Sequence, residues 1–239
     1  MDDSHADGQR LIAVGDIHGN LIQLEGLMRQ LQDDGMTPER DSVVFLGDFV
    51  DSGTYSRQVV TLVREWQRAY PHWVFLKGNH EEMMLTALQA QSSMDHQFLN
   101  WYQQGGRETI QSYIDNFVSD EALEQPSDQL ARAVIQEDDI RWLSDLRLYH
   151  ESERHIFVHA GLRPGIPLEE NDPHDLLWIR QDFIGSDYDW GKRVIYGHTP
   201  TDPPLVMPNK IGINTLPRTH GYLTAVDVTG AEPRFFHQG

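Results

Sequence analysis

A short apolar run closed by glycine and a small polar residue occurs three times near the start of the chain, and it constrains the fold more than any other feature. The runs span residues 11–14, 42–46 and 73–76, and the polar ends that follow are Asp16, Asp48 and Asn79. Each run has the length and composition of a buried strand. The polar ends lie 32 and 31 positions apart, the length of a βαβ unit, and apolar residues at helical spacing fill the gaps. The sequence therefore predicts an α/β fold in which three parallel strands end at one sheet edge.

The rest of the chain continues this pattern around a helical insertion. Residues 81–148 are mostly of helical periodicity and are predicted to form a helical cap beside the sheet. Strands return at 156–158 and 193–196, and they end at His159 and His198. Two later runs, 211–213 and 222–228, are predicted to pair with each other in a second sheet. With no linker-like segment visible, residues 1–239 are interpreted as one domain.

The charge and cysteine content exclude several classes of function. The chain has 37 acidic and 19 basic residues, a net charge of −18, and it has no cysteine. Such an acidic surface repels a nucleic-acid backbone, so we expect no nucleic-acid partner. Any metal must be held by oxygen and nitrogen. No apolar run is long enough to span a membrane, and no secretory signal follows Met1, so we expect a cytoplasmic protein without a membrane partner.

The polar residues at the five strand ends form a metal-ligand set. Two carboxylates, one amide and several imidazoles suit divalent cations such as Mn²⁺, Fe²⁺ or Zn²⁺. Ligands of open α/β sheets bind outside the carboxyl ends of the strands, where these side chains are predicted to meet. The set comprises Asp16, His18, Asp48, Asn79, His80, His159 and His198.

Five motifs containing these residues resemble those of a known family. In chain order they are Gly15-Asp16-Ile17-His18-Gly19, Gly47-Asp48 through Asp51-Ser52-Gly53, Gly78-Asn79-His80-Glu81, His159-Ala160-Gly161 and Gly197-His198-Thr199. Their order is similar to that of the metallo-dependent phosphoprotein phosphatases, the calcineurin-like metallophosphoesterases, in the bacterial-type branch near lambda phage phosphatase and the symmetrical diadenosine tetraphosphatases. The resemblance implies a two-sheet sandwich with a βαβαβ metal core, flanked by helices.

The resemblance also implies a dinuclear metal centre. Asp16, His18 and Asp48 would hold the first ion. Asp48 would bridge the two ions, and Asn79, His159 and His198 would complete the binding of the second. Mn²⁺ is the favoured metal, with Fe²⁺, Zn²⁺ and Mg²⁺ as alternatives, and the ions would lie about 3.5 Å apart.

The same resemblance assigns the catalytic residues. A hydroxide that bridges the two metals would attack phosphorus in line. His80, next to a ligand in the sequence but not itself a ligand, would donate a proton to the leaving alkoxide as general acid. Asp51 would hydrogen-bond to the His80 imidazole and keep it oriented and protonated.

Substrate binding is where the chain departs from its family. The usual Asp-Arg-Gly reads Asp51-Ser52-Gly53 here, so a phosphate-binding arginine is replaced by Ser52. A second family arginine is matched by Arg180, and Arg163 and Arg107 are candidates to replace the lost one. These four positions are the predicted substrate-binding residues.

Three functions remain open from the sequence. The leading hypothesis is a serine/threonine-type protein phosphatase, with phosphotyrosine also considered, that acts on a phosphorylated protein or a small phosphoester. The alternative in the same class is a symmetrical diadenosine tetraphosphate hydrolase. An alternative of another class is a weakly active, metal-binding regulatory module, motivated by Ser52 and by Asn214, which replaces the aspartate of a family Asp-Thr-Gly-Ala motif. The chain is expected to be a monomer.

Overall fold

The computed structural model describes residues 8–114, 125, 127–216 and 221–239. In the first half, the elements are β1 (Leu11–Val14), α1 (Leu21–Asp33), β2 (Ser42–Phe45), α2 (Ser56–Ala69), β3 (Val74–Phe75), α3 (Asn79–Ala87), α4 (His96–Trp101), a π-helical turn (Tyr102–Gly106) and α5 (Arg107–Ser112). In the second half, they are α6 (Asp128–Val134), α7 (Glu137–Ser144), β4 (Tyr149–Glu151), β5 (His155–Val158), a 3₁₀ turn (Leu168–Glu170), α8 (Pro173–Trp178), α9 (Gln181–Ile184), β6 (Arg193–Tyr196), β7 (Leu205–Val206), β8 (Lys210–Gly212), β9 (Leu223–Asp227) and β10 (Arg234–Gln238).

The strands form two five-stranded sheets. The order is β10-β9-β1-β2-β3 in the first sheet and β4-β5-β6-β8-β7 in the second. Strands β1, β2 and β3 are parallel neighbours, as the sequence spacing predicts. Strands β5, β6 and β8 are parallel in the second sheet. The mixed α/β architecture confirms the predicted fold class.

The two sheets pack face to face, and alternation along each strand decides what each residue contacts. In β1, Leu11 and Ala13 belong to a buried cluster that includes Phe157 and Ile195 of the second sheet. The intervening Ile12 and Val14 pack instead in the large cluster with the helices of the first half. The outer face of the second sheet packs against α8 and α9 in a third cluster. The result is a sandwich with helices on both outer faces.

One strand pairing differs from the sequence prediction. Strand β8 pairs with β6 and β7 in the second sheet, whereas β9 pairs antiparallel with β1 and β10 in the first. The two runs expected to pair with each other therefore lie in different sheets. Both strands are buried throughout, so their apolar pattern carries no information about which sheet they join.

In its described residues, the segment predicted as a helical cap contains helices α3 to α7 and the π-helical turn. Residues 115–124 and 126 of this segment lie outside the described residues. The described helices pack beside the first sheet, where α3 also contacts α4 and α7. Among the residues that the structure describes, no helix is both long and apolar enough to cross a bilayer.

Candidate active site

The candidate ligands lie in loops at the carboxyl ends of strands from both sheets. Asp16 and His18 follow β1, Asp48 follows β2, and Asn79 begins α3 just after β3; from the second sheet, His159 and His198 directly follow β5 and β6. All six side chains are buried, none with more than 5% of its surface exposed. The structure thus brings together residues separated by up to 182 positions.

Asp48 lies at the centre of this cluster. Its Oδ2 atom is 3.5 Å from Nε2 of His18 and 3.5 Å from Nε2 of His159. Asn79 Oδ1 lies 2.8 Å from His159 Nε2 and 2.8 Å from His198 Nδ1. Within the described residues, two groups can each offer three converging ligand atoms: His18, Asp48 and His80, and Asp16, Asp48 and His159. Asp48 is the member that the two groups share.

The electrostatics of the cluster fit divalent cations. Burial raises the pKa of Asp16 to about 7, and the neighbouring charge of Asp48 adds to the shift. Burial, followed by the charge of Glu81, raises the pKa of Asp48. Burial lowers the pKa of His198 to about 2, so this imidazole is neutral and able to act as a ligand. A pair of bound cations would stabilise the ionised form of these buried carboxylates, and neutral imidazoles can ligate such cations.

The ligand loops adopt uncommon backbone conformations. His18, Asp48 and His198 have φ angles of 47°, 52° and 56°, in the left-handed region that non-glycine residues rarely adopt. Asp51 and Ser52 follow at 72° and 67°. Such conformations persist only where surrounding contacts enforce them, and they concentrate at functional sites.

Hydrogen bonds to backbone carbonyls orient two of the histidine ligands. His159 Nδ1 lies 2.8 Å from the carbonyl oxygen of Leu46, and His18 Nδ1 lies 3.1 Å from that of Val50. Because a carbonyl oxygen only accepts, each Nδ1 donates its proton, and each Nε2 is directed toward Asp48. This arrangement is typical of histidines that ligate metals.

Glu81 holds the backbone of the Asp48 loop and was given no role in the sequence analysis. Its buried carboxylate accepts hydrogen bonds from the backbone N–H groups of Asp48 and Phe49, both at 2.8 Å, and from that of Val50 at 3.3 Å. It also accepts from the backbone N–H of Gly78 at 2.8 Å. The signal in the sequence was its position: a carboxylate within the first turn of a helix that opens with a ligand.

Asn214 is a further buried side chain at the site. Its amide Nδ2 donates to Asp16 Oδ2 at 2.6 Å, and its Oδ1 has no hydrogen-bond partner among the residues that the structure describes. The Asp16 carboxylate also accepts from the backbone N–H of His198, at 3.0 Å to Oδ2. A neutral amide therefore occupies a position where a carboxylate would face Asp16 directly.

The His80 and Asp51 side chains form a pair beside the ligands. His80 Nδ1 lies 2.8 Å from Asp51 Oδ2, and the His80 ring stands edge-on to that of His18 with centroids 4.7 Å apart. Since an ionised carboxylate only accepts, the imidazole donates to Asp51 through Nδ1. Asp51 is fully buried, whereas His80 borders the cavity described next.

A cavity of about 390 Å³ opens over the cluster. Four candidate ligands and His80 line it, together with side chains from other parts of the chain: Met83, Asn100, Gln104, Trp178, Arg180, Pro200 and Asn214. The Trp178 ring stands nearly perpendicular to that of His198, with centroids 6.1 Å apart. Neither the amides of the helical segment nor Trp178 was a site candidate in the sequence analysis.

The four predicted substrate-binding residues are placed differently. Arg180 borders the cavity, and its Nε donates to His198 Nε2 at 3.1 Å. Arg163 does not reach it: its guanidinium forms a bidentate pair with Asp175 at 2.6 and 2.7 Å, beside a separate surface depression. Arg107 and Ser52 are also absent from the cavity lining. Of the four, only Arg180 lies where a substrate in this cavity would contact it.

Comparison with known proteins agrees with this geometry. Residues 9–223 match the calcineurin-like phosphoesterase family, and the chain belongs to that family. It is therefore a metallophosphoesterase with phosphatase-named relatives, as the five motifs predicted. The family depends on a dinuclear metal centre, and the structure supplies candidate ligand groups for one.

The names of individual relatives describe two different activities. The chain is 29% identical over 198 residues to serine/threonine-protein phosphatase 1 of Salmonella typhimurium, covering 78% of this chain and 77% of that protein. It is 26% identical over 235 residues to bis(5'-nucleosyl)-tetraphosphatase PrpE (asymmetrical) of Bacillus cereus, covering 89% and 88%. A solved protein serine/threonine phosphatase from Saccharomyces cerevisiae shares the fold, with a TM-score of 0.63 and 14% identity over 99% of this chain and 82% of that one.

Proposed function

We propose that this metallophosphoesterase is a serine/threonine-type protein phosphatase in which Asp16, His18, Asp48, Asn79, His159 and His198 hold two divalent ions, with Mn²⁺ favoured. The convergence of Asp16, His18 and His159 on Asp48, which both three-residue groups share, is the observation that carries the proposal. Asn79 joins this cluster through its 2.8 Å contacts with His159 and His198. When bound, the ions supply a water nucleophile at neutral pH and neutralise charge on the phosphoryl oxygens. Similarity to a relative named as a serine/threonine phosphatase supports the substrate class.

The residues of the chain perform the remaining steps. Arg180 donates its guanidinium hydrogens to the phosphoryl oxygens, on which negative charge accumulates in the transition state. His80 donates the proton of its Nε2 to the departing alkoxide as general acid, and Asp51 holds the ring through Nδ1.

A second candidate, hydrolysis of dinucleoside tetraphosphates, is favoured by two observations. One is the similarity to the relative named as an asymmetrical tetraphosphatase, whereas the sequence analysis named the symmetrical type. The other is the cavity wall, where the half-buried Trp178 offers a stacking surface and Asn100 and Gln104 offer amide groups for a base. The same metals and general acid would act on an anhydride bond.

A panel of substrates separates the two candidates. The Mn²⁺-loaded protein is assayed on phosphoserine, phosphothreonine and phosphotyrosine peptides, p-nitrophenyl phosphate and diadenosine tetraphosphate, with EDTA as the metal control. A protein phosphatase prefers the phosphoserine and phosphothreonine peptides. A tetraphosphatase prefers the dinucleotide, and its products assign the cleavage: two ADP for symmetrical attack, ATP and AMP for asymmetrical attack.

A pair of matched variants tests the metal assignment itself. Asp48→Asn should abolish activity on every substrate, whereas Asp145→Asn, at an exposed position outside the site, should leave it unchanged. Hydrolysis that survives both EDTA and Asp48→Asn would overturn the proposal.

A further inference from the structure

We propose that Trp101 and Thr109, in the helical segment, are positioning residues that hold Asp51 and thereby aim the His80 imidazole at the leaving group. This inference rests on the proposed function of His80 as general acid. Both residues are fully buried and neither borders the cavity, so neither can contact substrate there. Each acts on the reaction through Asp51.

Thr109 binds Asp51 twice with one hydroxyl group. Its Oγ1 donates to Asp51 Oδ1 at 2.7 Å and accepts the backbone N–H of the same residue at 2.8 Å. The hydroxyl therefore fixes the carboxylate relative to its own backbone. Ser56 Oγ lies 3.1 Å from the same backbone nitrogen and 3.2 Å from Thr109 Oγ1, so α2 and α5 meet at this point.

Trp101 approaches the carboxylate from a second direction. Its indole Nε1 donates to both oxygens of Asp51, at 3.0 Å to Oδ1 and 3.2 Å to Oδ2. The oxygen at 3.2 Å is the one that accepts from His80 Nδ1. Trp101, Thr109 and His80 thus fix the orientation of the Asp51 carboxylate. This orientation in turn sets the direction of the hydrogen bond to His80.

The π-helical turn between these two residues lets the helical segment approach closely. Gly105, at φ 118°, accepts the backbone N–H of Ser52 at 3.2 Å, and a Cβ at Gly105 would lie 2.5 Å from that nitrogen. A Cβ at Gly106 would lie 2.5 Å from the Trp101 ring. Gly105 thus permits close packing against the Asp51 loop, and Gly106 permits close packing against Trp101. Such π-helical turns occur frequently at functional sites.

The strained backbone of Asp51 explains why such support is required. Its φ of 72° is costly for a residue with a Cβ, and this conformation persists only while surrounding contacts enforce it. Without the Thr109 and Trp101 contacts, the carboxylate gains alternative orientations. His80 then spends part of its time aimed away from the leaving oxygen, and general acid catalysis requires that alignment.

The step affected is the transfer of one proton. The bond between phosphorus and the leaving oxygen breaks as a bond from phosphorus to the water oxygen forms, and the His80 Nε2 proton moves to the leaving alkoxide. The proton that the water loses restores His80, so the products are the alcohol and inorganic phosphate. A good leaving group departs without needing this proton, whereas a poor one requires it. Misplacement of His80 therefore slows poor leaving groups selectively.

The experiment compares Thr109→Val and Trp101→Phe on two substrates with Mn²⁺ present. We expect kcat for phenyl phosphate, a poor leaving group, to fall about 10-fold or more, since a fully placed general acid contributes about 10²–10⁴-fold. For 2,4-dinitrophenyl phosphate, kcat should fall less than about twofold, and KM should stay unchanged for both. Thr109→Ser keeps the hydroxyl and should restore the wild-type ratio of the two rates.

Trp142→Phe is the matched control, because the Trp142 indole donates to Gln67 Oε1 at 2.7 Å, away from the site. Variants that slow both substrates equally, or that match Trp142→Phe, would overturn the inference. In a His80→Asn background the Thr109→Val change should add no further loss, and a full additional loss would also overturn it. Should Thr109→Val fail to fold, Trp101→Phe carries the comparison. Wild-type protein inactive on every phosphoester would instead count against the proposed function.

Discussion

The side-chain amide of Asn214 donates a 2.6 Å hydrogen bond to the carboxylate of Asp16, across 198 positions of sequence. The same carboxylate accepts the backbone N–H of His198. These two donors occupy part of the hydrogen-bonding capacity of the Asp16 carboxylate. The lone pairs that remain are the ones available to a cation. Asn214 thus links the loop after β8 to the first candidate ligand of the chain.

Replacing Asn214 with alanine should weaken divalent-metal binding about 10- to 100-fold, because loss of a hydrogen bond that orients a ligand typically costs this much affinity. Calorimetric titration of the metal-free protein with Mn²⁺ measures the change. Asn209→Ala is the control, since the Asn209 amide donates to the carbonyls of Ser186 and Tyr188, away from the site. Equal Mn²⁺ affinity of the two variants would contradict the role given to Asn214.

Replacing Glu81 with glutamine should lower the free energy of unfolding by about 2–4 kcal/mol, because its NH₂ group would face backbone N–H donors that are then left unsatisfied. Urea unfolding of the metal-free protein measures the difference. Glu82→Gln, at a partly exposed position paired with Lys77 at 3.5 Å, should change the free energy by less than about 0.5 kcal/mol.

Replacing His80 with asparagine should lower kcat for a phosphoserine peptide by about 10²–10⁴-fold while metal affinity changes little, because the substitution removes a proton donor. Steady-state kinetics and Mn²⁺ titration are measured together. His80 also belongs to one of the two three-residue ligand groups, so the metal titration decides between the two roles. Loss of one bound Mn²⁺ would make His80 a ligand instead.

Arg180 and Arg163 should respond differently to alanine substitution. Arg180→Ala should lower kcat/KM for a phosphomonoester about 100-fold, because a charged donor to the transition state is lost. Arg163→Ala should leave kcat/KM within about twofold, because Arg163 pairs with Asp175 outside the cavity. A larger loss at Arg163 than at Arg180 would show that substrate extends over the neighbouring depression.

Metal binding should release protons in a pH-dependent way. The pKa of Asp16 is raised to about 7, so in the metal-free protein this carboxyl group keeps its proton below pH 7 and loses it above. His198, with its pKa lowered to about 2, is already neutral and contributes none. We expect release of about one proton or more at pH 6 and less at pH 8.5. Calorimetric titrations in buffers of different ionisation enthalpy measure this, and equal release at both pH values would contradict it.

Much of the fold follows from local sequence patterns. The apolar runs before Asp16, Asp48 and Asn79 are parallel neighbours in one sheet, because their spacing fits short helical crossovers. The assignment of β8 and β9 to different sheets could not be predicted in the same way. Both strands are buried on each face, so the choice of partner depends on tertiary packing that periodicity does not record.

The candidate site, like the fold, could be predicted from the sequence only in part. The ligand candidates could be found because each follows a strand and each belongs to a motif. The supports of Asp51 could not, because Trp101 and Thr109 lie in helices whose spacing is fully explained by core packing. Arg163 was a reasonable candidate from its position after a ligand motif, but sequence proximity does not reveal that Asp175 binds its guanidinium. Which side chains pair with each other across the fold is the information that the sequence alone lacks.

The candidate ligands come from both sheets, and this affects the stage of biosynthesis at which the site becomes complete. During translation the N-terminal strands emerge first, so Asp16, His18, Asp48 and Asn79 leave the ribosome well before His159 and His198. A nascent chain that ends within the helical segment holds four of the six proposed coordinating groups. Under the proposed assignment the ligand set of the second ion is complete only after β6 has docked, so full loading of the metal centre would follow synthesis of β5 and β6.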